Sequence, residues 1–472
     1  MIITFSSSGF AFLSDGHPEV RRRISVAGGR FFGGPQNDSA KNQPYLELLT
    51  LFKPFRTVLI GATACIVLLL YRAPAALAAA ELQGANPAQW RLIWTTDPAT
   101  TATLAWNTAM AGKSHRVRLR EANGKEIVVD AQRNGRYSAR SPELFYHHAR
   151  LTHLKPATKY HVELESDGQR SPPLYFVTAP ADDVPIGLLY GADSRSGIPE
   201  RRKMNAMLAR MVAESTTAGR TPILALAHGG DYIRDGRQLD QWSAWMSDHE
   251  LTVGADGRLL PIIPARGNHD RGEMFNEVFA FPPHDTNYYA IQLGPQVRLV
   301  TLNTETSIAG DQTTWLEKEL AAWRPRCRWL VAQYHRPAFP AVKSPSGALL
   351  HWVPLFEQFN VDLVCEGDGH NIKRTPPIRH NVIDPTGVVY IGEGGLGVEQ
   401  RTPKTDRWYL RPPQAKTGSA HHVQLLIFDR KKITYRVVLL GGKIFDEHYL
   451  PVRSAEQRHA AAPARHAASP KG

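Results

Sequence analysis

The sequence predicts two folded parts in series, an all-β sandwich followed by an α/β domain with a largely parallel, buried sheet. Three observations predict it. Residues 86–180 alternate apolar and polar side chains in short runs separated by turn residues. From Pro185 onward, apolar runs alternate with helix-like stretches. Within that second part, five pieces rich in oxygen and nitrogen donors each close an apolar run: Asp193, Gly230-Asp231, Gly267-Asn268-His269-Asp270, His335, and Asp368-Gly369-His370.

Taken in order, residues 1–56 are rich in Gly, Ser and Asn around Arg21-Arg22-Arg23 and lack a sustained apolar period, so they read as a disordered extension. Residues 57–80 contain VLIGATACIVLLLY, with Lys53 and Arg56 before it and APAALAAA after it. A basic flank, a short apolar core and small residues in A-x-A order fit a secretory signal. A single membrane anchor is the alternative, although Arg72 interrupts the run. The chain is therefore expected to be exported, periplasmic or secreted, and to meet a membrane only through 57–80 if that segment stays uncleaved.

In 86–180, seven runs alternate with period two: WRLIWT, TATLAWNT, HRVRLRE, EIVVDA, HHARLTHL, KYHVELES and PLYFVT. That pattern predicts an antiparallel sandwich. His147, His148, His153 and His161 fall among them without carboxylates at ligand spacing, so cross-strand polar contacts are expected rather than a metal. In 184–450, helices are expected over 199–217, 237–248, 311–323 and 350–359. Late strands at 388–392, 422–429 and 432–439 suggest the edge of a second sheet. Residues 453–472 read as a disordered tail.

The net charge of +12 thins out when it is divided. Residues 1–80 hold eight Lys/Arg against four Asp/Glu and residues 453–472 four against one, which leaves +5 for 81–452. No basic stripe interleaved with aromatics stands out, so no nucleic-acid partner is expected. Cys65, Cys327 and Cys365 offer no disulfide framework. Cys327 starts one strand and Cys365 ends another, so parallel strands would hold the two sulfurs apart.

The five pieces carry the chemistry. Ligands of open α/β sheets bind beyond the carboxyl ends of strands, and every piece sits at such an end. Carboxylates, an amide oxygen and imidazoles gathered there can hold two divalent cations, and adjacent cations point to phosphate-ester hydrolysis. Gly267-Asn268-His269-Asp270 is the most specific piece, because one bend exposes three donor types.

This ordered set resembles the calcineurin-like metallophosphoesterases and, within them, the purple acid phosphatases. Their motifs read Gly-Asp, Gly-Asp, Gly-Asn-His-Asp/Glu, His and Gly-His-x-His. Leu154 to Tyr160 is similar to the tyrosine-corner segment of fibronectin type III sandwiches, and a domain of that kind precedes the catalytic one in purple acid phosphatases. The resemblance implies a four-layer α/β/β/α sandwich over 184–450 preceded by a fibronectin type III-like domain over 86–180. It implies that Asp193 and His370 bind a first metal, that Asp231 bridges, and that Asn268 and His335 bind a second. Asp368 takes the place of the family's other His. His269 would face the leaving-group oxygen, with Asp270 orienting its ring.

The implied activity is cleavage of phosphate monoesters by in-line attack of a metal-bound hydroxide, with a phosphorylated small molecule or phosphoprotein as substrate. A phosphodiesterase or phosphoprotein phosphatase, or a non-catalytic binding homologue, are the alternatives. Two departures stand out. Purple acid phosphatases place a ferric-ligating Tyr three residues after the bridging Asp, where this chain has Arg234; Tyr232 comes one residue after it. Asp368 is a harder ligand than imidazole, so of Fe, Mn and Zn an Mn-like hard ion is favoured at the second position. Arg195 and Arg234 are candidates for binding phosphate oxygens. Glu393 lies on a Gly-rich strand-end loop, where part of a turn is the preferred reading and a place facing the site the alternative.

Overall fold

The computed structural model describes residues 80–139 and 143–459. The expectations for residues 1–56, and for 57–80 apart from its last residue, lie outside the described residues. Among the described residues no helix is long and apolar enough to cross a membrane.

The first part holds nine strands: β1 (Ala88–Ile93), β2 (Ala102–Thr108), β3 (His115–Glu121), β4 (Ile127–Asp130), β5 (Arg133–Arg136), β6 (Phe145–Leu151), β7 (Lys159–Ser166), β8 (Gln169–Arg170) and β9 (Leu174–Val177). They form two facing layers, β5-β6-β2-β1 and β4-β3-β7 with β8 and β9 on β7. Inward positions such as Trp106, Leu104, Val117, Leu164 and Phe176 are fully buried, which is what the period-two alternation demands. Tyr160 turns back on its own chain, its hydroxyl accepting from the Lys155 N–H at 2.8 Å. The four histidines find polar or ring partners. His147 bonds Thr108 and Asn134 and stacks on His115, His148 bonds the Glu277 carbonyl, His153 meets Thr152, and His161 lies near Tyr175.

The second part runs β10 (Ile186–Gly191), α1 (Ile198–Ser215), β11 (Ile223–His228), α2 (Leu239–His249), β12 (Ile262–Pro264), α3 (Met274–Val278), β13 (Tyr289–Gln292), β14 (Val297–Thr301), α4 (Asp311–Trp323) and β15 (Trp329–Tyr334). It continues with α5 (Ala348–His351), α6 (Val353–Gln358), β16 (Leu363–Glu366), β17 (Ile372–Arg374), β18 (Ile378–Arg379), β19 (Val382–Ile383), β20 (Val389–Gly392), β21 (Lys416–Gly418), β22 (His422–Phe428), β23 (Lys432–Leu439), β24 (Ile444–Pro451) and α7 (Ala455–His459). Its two sheets have parallel centres, β10-β11-β12 and β14-β15-β16-β20. Apart from Arg298 on β14, those strands are buried along their whole length, as a sheet covered on both faces requires. Leu188, Ala225 and Ile263 of one sheet meet Val331, Leu363 and Ile391 of the other in one core. On the outer faces, α1 packs Met204 and Leu208 against Leu189 and Leu226, and α4 and α6 pack Leu316 and Phe356 against Leu330 and Val364. The result is a four-layer α/β/β/α sandwich preceded by an all-β sandwich.

Several elements differ from expectation. The two parts share a sheet: β1 pairs in parallel with β12 through Ile93 and Ile262, so β1, β2, β6 and β5 extend the sheet of β10 to β12. The helix expected over 350–359 is split, because Pro354 has no N–H to continue the preceding turn. β22 pairs with β10 and β23 with β22 rather than with β20, so the late strands divide between both sheets. The disordered tail expected from residue 453 is corrected over 453–459: Arg453 pairs with Asp362 at 3.1 Å and α7 follows. Cys327 and Cys365 are both free and buried.

Candidate metal centre

The carboxyl ends of β10, β11, β12, β15 and β16 converge, and each delivers one of the five pieces. Two donor groups result, Asp193–Asp231–His370 and Asp231–His335–Asp368, each with its ligand atoms within 4.8 Å of one another. Asp231 belongs to both. In the first, His370 Nε2 stands 3.2 Å from Asp193 Oδ1. In the second, His335 Nε2 lies 3.2 Å from Asp231 Oδ1, 3.5 Å from Asp368 Oδ1 and 3.2 Å from the Asn268 amide oxygen. The structure thus brings together all six residues expected to bind metal.

Backbone geometry aims these side chains. Asp193, Asp231, Asp368 and His370 have φ of 61°, 60°, 69° and 60°, a left-handed conformation that non-glycine residues adopt at a cost. Neighbouring loops hold them there. The Asp193 N–H donates to the Gly230 carbonyl at 2.9 Å, the Asp368 N–H donates to Asp193 Oδ2 at 2.9 Å, and the His370 N–H donates to the Glu393 carbonyl at 2.6 Å. A Cβ on Gly394 would stand 2.0 Å from Asp193 Oδ2, so only glycine lets the carboxylate sit where it does. His335 Nδ1 bonds the Gly229 carbonyl at 2.8 Å and His370 Nδ1 the Glu399 carbonyl at 3.2 Å. Carbonyl acceptors hold the proton on Nδ1 and leave each Nε2 facing the carboxylates, the arrangement a metal-binding histidine needs.

Buried polar atoms normally find partners. Here Asp193 Oδ1, Asp231 Oδ2 and His370 Nε2 are buried and make no hydrogen bond. Three orphaned atoms turned inward from oxygen- and nitrogen-donor side chains fit a pair of bound cations. Electrostatics agree. Burial alone would raise the Asp231 carboxyl, yet His335 and His269 hold it down at about 2. Burial likewise opposes charge on His335, and Asp231 and Asp368 reverse that, raising it well above the ordinary imidazole range. The imidazolium stands in for the positive charge that the carboxylates require.

His269 is partly exposed at the rim. Its N–H donates to Asp231 Oδ1 at 3.0 Å, and its Nε2 reaches to 4.0 Å from Asp231 Oδ2. The expectation that Asp270 orients this ring is corrected. His269 Nδ1 instead bonds the Arg234 carbonyl at 2.6 Å. The Asp270 carboxylate is fully buried and accepts the backbone N–H groups of Asp231, Tyr232 and Gly267 at 2.8, 2.9 and 2.8 Å. It therefore clamps the two donor-bearing loops together. Burial and the nearby Asp231 raise its carboxyl, against the pull of those amides.

Arg195 Nε lies 3.3 Å from Asp231 Oδ2, inside the site. Arg234 is exposed, and the site uses its carbonyl. Tyr232 points the other way, stacked on His228 in an aromatic cluster with Trp242, Trp245 and Phe279.

Two groups escaped sequence reasoning. Lys343 Nζ donates to Asp368 Oδ1 from a Pro/Ser-rich loop that carries no motif. Glu393 belongs to no simple turn. It is fully buried, its carboxylate bonding Lys373 Nζ at 2.6 Å and the Ala341 N–H at 2.8 Å, while Lys373 also pairs with Glu366. Burial raises the Glu393 carboxyl to about 7 despite Lys373. A buried Lys between two Glu beneath His370 had one available signal, a charged residue following Ile372 inside a strand.

Comparison with known proteins agrees with this geometry. Residues 87–178 match the purple acid phosphatase N-terminal domain, and residues 206–371 match the calcineurin-like phosphoesterase family. The chain thus carries a purple acid phosphatase N-terminal domain followed by a calcineurin-like phosphoesterase domain. It is similar to the purple acid phosphatases. Purple acid phosphatase 13 of Arabidopsis thaliana is 25% identical over 333 residues, 60% of each chain. An uncharacterised Mycobacterium tuberculosis protein is 25% identical over 319 residues, 59% of this chain and 57% of that one. The chain thus spans about 57–60% of the length of these relatives. In fold, it superposes on a purple acid phosphatase from yellow lupin (Lupinus luteus) seeds with a TM-score of 0.68, at 16% identity over 81% of this chain and 78% of that one.

Proposed function

We propose that this protein is a dinuclear-metal hydrolase of phosphate monoesters. The observation that carries the reading is Asp231, whose carboxylate is shared by two donor groups built from otherwise separate residues. Asp193 and His370 would hold one cation, Asn268, His335 and Asp368 the other, with Asp231 between them. A bound pair would supply Lewis acidity to the phosphoryl oxygens and acidify a water for in-line attack. Two carboxylates and the Asn268 amide oxygen make the second group oxygen-rich, which favours Mn²⁺ over Zn²⁺ there.

The chain's own residues take the remaining roles. Arg195 offers a guanidinium next to the bridging carboxylate, where phosphoryl oxygens would approach. His269, its Nδ1–H held by the Arg234 carbonyl, presents Nε2 at the rim and donates a proton to the departing oxygen. Asp270 acts at one remove, by fixing the backbone of Asp231 and Gly267. A centre without a ferric phenolate is supported by the packing of Tyr232 away from the donor groups and by the exposure of Arg234. Phosphorylated small molecules or phosphoproteins are the substrate class, and export is proposed from the 57–80 segment.

The test is turnover of p-nitrophenyl phosphate and of its bis-ester by metal-stripped protein reloaded with Fe, Mn or Zn. Monoester turnover that Asp231→Asn abolishes is expected, without a visible charge-transfer band. Preference for the bis-ester would make the protein a diesterase. Inactivity with every metal would leave a binding homologue.

A further inference from the structure

The two donor groups differ in one respect that their ligand sets do not explain. Lys343 Nζ sits on Asp368 Oδ1, the same oxygen that lies 3.5 Å from His335 Nε2. Asp193 Oδ1 in the first group has no hydrogen-bond donor and faces His370 Nε2. Arg195 Nε lies by Oδ2 of the shared Asp231, the oxygen that His335 does not contact, and touches no carboxylate that belongs to one group alone. Only the second group has a side-chain ammonium on its own carboxylate.

The Lys343 side chain can leave without the loop moving. Its backbone is pinned: Arg407 donates to the carbonyls of Lys343 at 2.7 Å, Val342 at 3.1 Å and Pro340, and the Lys404 N–H bonds the Ala341 carbonyl at 2.8 Å. The side chain is 39% exposed, against 6% for Asp368. It borders a cleft of about 590 Å³ lined also by Asn268, Glu305, Arg336 and Ser346, which has room for the ammonium after a stem rotation. A lysine is a compact point charge on a flexible stem, so no bidentate geometry has to break.

We propose that Lys343 is the resident counterion of the second cation position. It neutralises Asp368 until a divalent cation takes that oxygen, and then turns into the cleft. The inference rests on the dinuclear reading above and adds an order of loading, with the Asp193–His370 position filled first and the His335–Asp368 position second and more weakly. A divalent cation carries twice the charge of the ammonium and also gathers Asn268 and His335. The ammonium offers one charge and a contact partly open to water, so the exchange favours the metal at the cost of part of its affinity. Once released, the ammonium enters a cleft in which Arg336 is already paired with Glu305 at 2.7 Å.

The experiment measures Mn²⁺ binding to the metal-stripped full chain by equilibrium dialysis with metal quantification, for the wild type, Lys343→Met and Lys343→Arg. Acetylation of the Lys343 amine, read by peptide mass spectrometry, is followed with and without saturating Mn²⁺. The wild type should bind two Mn²⁺ with the second at least about tenfold weaker, and Lys343→Met should narrow that gap by about tenfold. The first affinity should stay within about twofold in every variant, and Lys343→Arg should keep the gap. Acetylation of Lys343 should be slow without Mn²⁺ and faster with it. An unchanged gap in Lys343→Met, or acetylation that Mn²⁺ leaves alone or slows, overturns the counterion role while the dinuclear reading stands. Absence of Mn²⁺ binding by the wild type overturns both. If Lys343→Met does not fold, acetylation of the wild type decides alone.

Discussion

Replacing Asp270 by Ala removes the acceptor of three backbone N–H groups at once, those of Asp231, Tyr232 and Gly267. All three lie in buried loop segments, and Asp270 itself is fully buried. A buried donor left without a partner costs about 1–3 kcal/mol. The three together amount to roughly 3–6 kcal/mol, allowing for a water that enters the space, out of the roughly 5–15 kcal/mol that keeps a typical domain folded. Asp270→Asn keeps an oxygen for the Asp231 and Gly267 amides and turns an NH₂ toward the Tyr232 N–H, so it should cost about 1–3 kcal/mol. Urea unfolding of metal-free protein reads both numbers. A double-mutant cycle with His269→Ala then separates two roles in the turnover rate. If Asp270 acts by holding loops, Asp270→Asn lowers activity further in a His269→Ala background. If it acts through the His269 ring, the second substitution adds nothing. Unchanged unfolding in Asp270→Ala, together with full non-additivity, would refute the loop-clamp reasoning.

Other expectations follow from the same structure. Glu250 is buried and accepts N–H groups from Ala80, Gln89 and Trp90, and burial lifts its carboxyl from 4.5 to about 7. Because the folded pKa is the higher one, its contribution is full below pH 4.5 and fades as pH rises through 7, by about 3 kcal/mol. Glu250→Gln should flatten the fall in urea midpoint over that range, and parallel curves for the two proteins would count against this. Gly394→Ala drives a Cβ into Asp193 at a φ of +91° and should destabilise by about 1–3 kcal/mol and cut Mn²⁺ uptake. Gly441→Ala, also at positive φ but with open space around it, should lose only about 1 kcal/mol and take up Mn²⁺ as the wild type does. Since Asp231 and Asp368 hold a proton on His335, a cation must displace that proton, so Mn²⁺ affinity should rise with pH and its calorimetric heat should depend on the buffer. Affinity independent of pH would show that His335 is not a ligand.

Some of this was legible in the chain and some was not, for physical reasons. His115–Glu121, Lys159–Ser166 and Asp311–Trp323 were readable to the residue because one face of each is apolar and the other is not. β24 was missed because its inward position carries Asp446, buried against Arg374 at 2.7 Å, and a buried charge erases the period-two signal. β5, Arg-Asn-Gly-Arg, has no apolar residue and exists only because β6 lies beside it. The joining of β1 to β12 pairs residues far apart in sequence, which local pattern cannot report. At the site, donor types at strand ends were readable, but the direction of a side chain on a turn was not. Asp270 follows His269 in sequence yet faces three amides, and Lys343 reaches Asp368 from a loop with no chemical signature.

The same geometry explains why so much of the chain is spent on holding these donors. Four ligand-type residues, Asp193, Asp231, Asp368 and His370, sit in the left-handed region, at about 1 kcal/mol or more each. Three of their polar atoms have no hydrogen bond, and three carboxylates crowd around one imidazolium. Left alone, such a cluster would relax toward ordinary backbone and solvated charge. It is kept in place by groups that never need to touch a substrate: the Asp270 carboxylate, the Gly229 and Glu399 carbonyls, and the buried Glu366–Lys373–Glu393 set, whose Glu393 carbonyl holds the His370 N–H. Cations that satisfy the orphaned atoms would bind the folded chain and not the unfolded one, so the stability spent on the strained loops is recovered as metal affinity.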